Sequence, residues 1–167
     1  MDAKELILKS LEQSQGYMTK ALDGLTQEEA TWSPGPECNS IAFILWHTAR
    51  AEDFLVNRVI CREKDLYKAE GWQEKLGTPD QAHEYSVEEL QAWQAPQLEI
   101  LMEYVNAVRE KTLALLRSMP SEKLSELARP ERPPDTIGSI LGGVSTEIAL
   151  HVGQIAYLRG MQRGLDK

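Results

Sequence analysis

Apolar side chains recur at intervals of three and four residues from one end of this chain to the other, and no stretch alternates apolar and polar as a half-buried strand requires. That period predicts helices. The first spans residues 3–25, with Ile7, Leu8, Leu11, Met18, Leu22 and Leu25 on one stripe, and Ser14 and Gln15 inside it, either facing a polar cavity or, the preferred reading, as a locally satisfied polar pair. A second, residues 41–60, turns Ile41, Ile44, Leu45, Thr48, Leu55, Val56 and Val59 inward, with His47 at the edge of the stripe near Phe43, Ala51 and Phe54. The third opens at Ser86, runs to about Met119 and buries Leu98, Leu101, Met102, Val105, Val108, Thr112 and Leu115. Pro96 lies within it; the missing backbone donor and the clash with the preceding turn predict a kink or break near Ala95. The fourth follows Thr136 and carries Ile137, Ile140, Leu141, Val144, Ile148, Val152, Ile155 and Leu158.

Punctuation between these periods is equally legible. Thr26 with Glu29 and Ser86 with Glu89 have capping-box spacing, Asn39 or Ser40 can cap the second long helix, and Thr136 the fourth. Pro34 and Gly35 end a short helix after Thr26. Residues 62–85 and 120–135 interrupt the pattern with charges, glycines and prolines and read as long connections, the first with a short helix around Trp72. Four long helices joined in this way describe an all-α four-helix bundle with crossover connections, one domain over residues 1–167. Gly142 and Gly143, inside the fourth helix, predict close approach of a neighbouring helix there.

Composition narrows the function classes. A net charge of −8 argues against nucleic acid, whose phosphates are met by clustered Lys and Arg. No apolar run approaches the ~20 residues of a membrane span. The N-terminal MDAKELILKSLEQ places charges where a signal peptide is apolar, so the expected location is the cytoplasm. Cys38 and Cys61 form neither a C-x-x-C pair nor a disulfide framework.

The chemistry-bearing stretch is TEIALHVGQIAYLRG, residues 146–160, with Glu147 and His151 four apart in an apolar helix. Side chains at i and i+4 point the same way and rise by ~6 Å, the separation at which two ligands grasp one ion. A carboxylate buried there without compensation faces a cost of several kcal/mol. Three things could compensate it: a divalent cation, a hydrogen bond to His151, or Arg159. Of the other histidines, His47 lies on a core helix and His83 in a polar connection. His47, Glu147 and His151 together form a two-imidazole, one-carboxylate set that suits Zn, Ni or Fe(II) and leaves a coordination position for water or substrate. A hydrogen-bonded core Glu–His couple with no metal is the competing reading.

At these residues the chain resembles the DinB-like/YfiT-like superfamily, which also contains mycothiol-dependent maleylpyruvate isomerase. GLTQEEATWSPGPECNSIAFILWHTARAEDFLVNRV is similar to the family's first half, and IGSILGGVSTEIALHVGQIAYLRGMQRG to its last helix, where an H-x-x-x-H pair precedes G-Q-I and L-R. The resemblance implies a bundle with a divalent metal held by three ligands. His47 and His151 match two of them, and Glu147 stands where many members have the first histidine. It also implies a homodimer. Gln154 then becomes a candidate to hold a water or substrate beside the ligands, or else a plain interhelical hydrogen bond, and Trp46 a pocket wall. Glu52, in the H-x-x-x-x-E-D stretch after His47, is expected to orient a partner, sit in a dimer contact, or pair with Arg50 or Arg58, the last being preferred. His83 and Tyr85 are expected as exposed loop residues unless the connection folds over the site.

Together, these residues and the resemblance imply a metal-dependent thiol S-transferase or hydrolase acting on a small molecule, with a low-molecular-weight thiol as candidate cofactor and no separate Ser or Cys nucleophile. The alternative is a non-catalytic, stress-associated dimer that binds a metal or ligand without turnover.

Overall fold

A computed structural model describes residues 1–80, 85–129 and 135–164. Among the described residues the α-helices are α1 (Ala3–Ala21), α2 (Gln27–Thr31), α3 (Ile41–Asp53), α4 (Leu66–Ala69), α5 (Trp72–Leu76), α6 (Val87–Ala92), α7 (Leu98–Ser118) and α8 (Ile137–Arg163). A π-helical segment, Phe54–Ile60, continues α3, and a 3-10 turn, Ser121–Ser125, follows α7. Helices α1, α3, α7 and α8 pack around one core that includes Leu11, Trp46, Leu101, Leu116, Leu141 and Ile155, so the all-α bundle is the architecture observed.

Local signals set most boundaries. Both anticipated capping boxes form, Ser40 Oγ accepts from the Phe43 N–H, and Thr136 Oγ1 from the Ser139 N–H. The first helix ends at Ala21 rather than Leu25, because the chain turns through Gly24 at φ +59° to reach the Thr26 cap. The third predicted helix is broken into α6 and α7 around Pro96, as proline demands. The start of α7 is capped from a distance: Gln27 Oε1 accepts from the Leu98 N–H at 2.7 Å and Gln27 Nε2 donates to the Pro96 carbonyl at 3.2 Å. Between residues 54 and 60 the wider turn changes the register, so Val56 and Asn57 are buried while Leu55 and Val59 are half-buried.

Ser10 and Ser145 bond across the start of the α1–α8 pair, and Arg159 reaches the Ala21 carbonyl near its end, so α1 and α8 run the same way. Asp53 meets Tyr104 while Phe43 meets Trp93, so α3 and α7 also run together, and the connection between them must cross the length of the bundle. That crossover is anchored. Asp53, fully buried, accepts from the backbone N–H groups of Leu66 and Tyr67 at 2.9 Å each, from Asn57 Nδ2 at 2.7 Å, from the Tyr104 hydroxyl at 2.8 Å and from Arg50 Nη1 at 3.4 Å. Burial first, and the Asp53 carboxylate next, raise the Tyr104 pKa well above its ordinary value, keeping this hydroxyl a donor. Arg50 lies over the Tyr67 ring at 4.0 Å and bonds Asp80 Oδ1 at 3.0 Å.

Two expectations are corrected. A Cβ at Gly142 or Gly143 would meet nothing within 4 Å, so neither admits a neighbouring helix. The close approach is at Gly138, where a Cβ would lie 2.9 Å from the Leu124 carbonyl oxygen. Glu52 pairs with neither Arg50 nor Arg58 but with Arg109 of α7, whose Nε and Nη2 each approach it at 2.9 Å; both side chains are buried. Gln15 Oε1 accepts from the same guanidinium, which accounts for a polar residue beside the first stripe.

Candidate functional site

His47 projects from the second turn of α3, and His151 from the middle of α8. The fold brings their rings to 5.6 Å between centroids at an interplanar angle of 83°. His47 is half-buried and stacks on Phe43, four residues earlier, at 6.0 Å and 13°. His151 keeps 16% of its side chain exposed. Its Nδ1 lies 2.9 Å from Gln154 Oε1, and its Nε2 lies 3.7 Å from Glu147 Oε2. With an amide oxygen facing Nδ1, the ring proton belongs on that nitrogen, which leaves the Nε2 lone pair directed toward the Glu147 side.

Glu147 departs from its expected setting. Its side chain is 62% exposed, so it stands on the rim of the bundle rather than within the apolar face, and no desolvation cost demands a compensating charge. Arg159 is not its partner. That guanidinium donates to the Ala21 and Asp23 carbonyls and pairs with Glu29 at 3.2 Å.

The wall behind His47 is aromatic. Trp46 is fully buried, with Phe43 at 5.7 Å, Tyr85 at 5.7 Å and Trp93 at 5.6 Å; Phe43 in turn meets Tyr85 and Trp93 edge-on at 5.1 and 5.2 Å. Tyr85 is therefore a half-buried part of this wall and not an exposed loop residue. Burial first, then the Glu89 carboxylate, raise its hydroxyl pKa, so it remains protonated at neutral pH. Sequence reasoning missed the cluster as a unit; the one signal for it was the four-residue spacing of Phe43 and His47 on a single helix face. His83 lies outside the described residues. Glu52, engaged with Arg109 in the core, stands apart from the imidazole pair.

The donor chemistry fits a divalent ion in part. Two imidazoles from facing helices meet with their ring centroids 5.6 Å apart, and a carboxylate flanks one of them. Among the described residues, however, no group of three or more His, Cys, Asp or Glu side chains gathers closely enough to hold a metal ion. Nor is any described helix long and apolar enough to cross a membrane.

Known proteins share this architecture. A model described as the DinB superfamily matches residues 10–155, a span that includes His47, Glu147, His151 and Gln154. Among solved structures, a conserved protein of a locus from Enterococcus faecalis is similar over 99% of each chain, with a TM-score of 0.84 and 24% identity, a likeness of fold. No curated protein matches the chain.

Proposed function

The chain belongs to the DinB superfamily, and from that premise we propose that it is a divalent-metal-binding protein using His47, His151 and Glu147 as ligands, with a metal-dependent thiol S-transferase or hydrolase activity on a small molecule. The observation that supports this most is the meeting of His47 and His151, 104 positions apart by their numbers, ring against ring between α3 and α8. Zn, Ni and Fe(II) suit such donors. Bound at these residues, the ion supplies Lewis acidity, lowering the pKa of a thiol or a water at neutral pH.

Each residue then has a defined task. Gln154 accepts the Nδ1 proton of His151 and fixes the tautomer whose Nε2 can ligate. Phe43 stacks on His47 and restricts its rotation. Glu147 adds the negative charge and, being on the rim, leaves the approach from solvent open. Tyr85 and Trp93, half-buried against the fully buried Trp46, give an organic substrate an apolar surface beside the pair. We further read the protein as a homodimer.

A second reading, binding of a metal or small ligand without turnover, is favoured by the exposed setting of Glu147, which leaves only two imidazoles firmly placed. Metal content is the first test. Plasma mass spectrometry on untagged protein after incubation with Zn, Ni, Mn and Fe(II) and dialysis should find near-stoichiometric metal, lost in His47→Ala and His151→Ala. Equal emptiness of all three proteins would reject the ligand set. A screen of thiols with electrophilic acceptors, comparing loaded and stripped protein, then separates enzyme from binder.

A further inference from the structure

Where the π-helical segment Phe54–Ile60 ends, the backbone closes as a glycine turn does, but around an arginine. The Cys61 N–H donates to the Val56 carbonyl and the Glu63 N–H to the Asn57 carbonyl, each at 2.9 Å, a closure that puts Arg62 in the left-handed region at φ +57°. Every other described residue at positive φ is a glycine, which takes this conformation without steric cost. Arginine carries that cost, and among the described residues its guanidinium has no ion pair or hydrogen bond to offset it.

Arg62 instead lines a cleft of about 390 Å³, within the size range of small-molecule sites. The body of the cleft is apolar, formed by Ile60, Leu115, Met119, Leu127 and Ile137. One wall is held by backbone pairing: the Ala128 N–H donates to the Asp135 carbonyl and the Ile137 N–H to the Glu126 carbonyl, each at 2.9 Å. Of the charged residues in the lining, Lys123 and Glu126 neutralise each other at 2.8 Å. Arg62 is left as the uncompensated charge, a cation on a chain of net charge −8. Cys61 also lines the cleft; burial first, then the Glu63 carboxylate, raise its pKa, so it is a neutral wall rather than a nucleophile.

We infer that this cleft binds a small carboxylate with an apolar body, an acyl or aryl acid free in solution, its hydrocarbon on Leu115, Met119 and Ile137 and its carboxylate on Arg62. Both halves of the site are needed to select that class. A neutral hydrocarbon leaves the guanidinium unused, and a small inorganic anion leaves the apolar walls in water. His151 lies roughly 20 Å along α8 from Ile137 by the helical rise, so this site is separate from the candidate metal ligands.

Isothermal titration calorimetry of the full chain with octanoate should show saturable one-to-one binding, and octan-1-ol, which lacks the charge, should bind ~10-fold more weakly. Arg62→Gly supplies the residue that the left-handed position favours, so its denaturation midpoint should hold or rise while octanoate affinity falls ~10-fold or more. Binding lost with stability kept separates recognition from folding. To locate the ligand, a Cys38→Ser protein, whose one remaining thiol is Cys61, should react with N-ethylmaleimide several-fold more slowly under saturating octanoate. Absence of octanoate binding, equal affinity in parent and Arg62→Gly, equal binding of the alcohol, or an unprotected Cys61 would each overturn the site.

Discussion

Two positions along α3, its middle and its last turn, hold polar groups that are finished differently. Asp53, at its last turn, is fully buried and accepts from five donors on α3, α4, α7 and the π-helical turn. At its middle, His47 faces His151, which has one hydrogen-bond partner on its own helix, a carboxylate at 3.7 Å, and solvent on its remaining side. A saturated carboxylate has no valence left for a ligand and ties four elements together. An imidazole oriented through one nitrogen keeps the other available. The comparison assigns structure to the first group and chemistry to the second, although both are polar letters on an apolar helix.

The sharpest way to break this contrast is Asp53→Ala. It leaves the Arg50 charge buried beside fewer acceptors and frees two backbone donors of α4, so denaturant unfolding should show a loss of about 3–5 kcal/mol. A loss below about 1 kcal/mol would mean the crossover is anchored elsewhere. Gln154→Leu acts on the other member of the comparison. Titration with Zn should show affinity reduced ~10–100-fold, with stability shifted by less than about 0.5 kcal/mol. Unchanged affinity would remove Gln154 from the site.

Two glutamates carry the contrast to smaller effects. The hydrogen bond from Arg163, then that from the Thr26 N–H, hold the Glu29 pKa far below its ordinary value of 4.5. A depressed carboxylate contributes its full stability above the unfolded value and loses it as pH falls, so Glu29→Gln should lower the midpoint at pH 7 and flatten its decline below about pH 4.5, where the two proteins converge. A parallel decline in both proteins would count against the pair. Glu147, on the rim, is the last and smallest: Glu147→Gln should leave stability within about 0.5 kcal/mol while weakening metal uptake. If uptake is unaffected, the carboxylate is not a ligand.

Legibility follows sequence distance. Caps at Thr26, Ser40, Ser86 and Thr136 are readable because donor and acceptor lie within one turn. The break at Pro96 is readable because proline acts on its own backbone. A helix wheel gives Glu52 the wrong partner because it offers only neighbours, whereas the actual partner, Arg109, is 57 residues away. Tyr85 escapes sequence reading because the end of a polar connection gives no sign of the aromatic surface it meets. In the candidate site, the Glu147–His151–Gln154 geometry is readable from one helix. The exposure of Glu147 is not, since its wheel position lies near the edge between core and solvent.

By itself, then, the chain determined the helices, their caps and the set of groups able to ligate, because periodicity and short-range hydrogen bonding act over a few residues. Only the tertiary structure decided which of those groups meet. Helix crossing brings His47 to His151, seals Asp53 inside five donors, and leaves Glu147 and the outer face of α8 in solvent, outcomes set by packing between residues far apart along the chain.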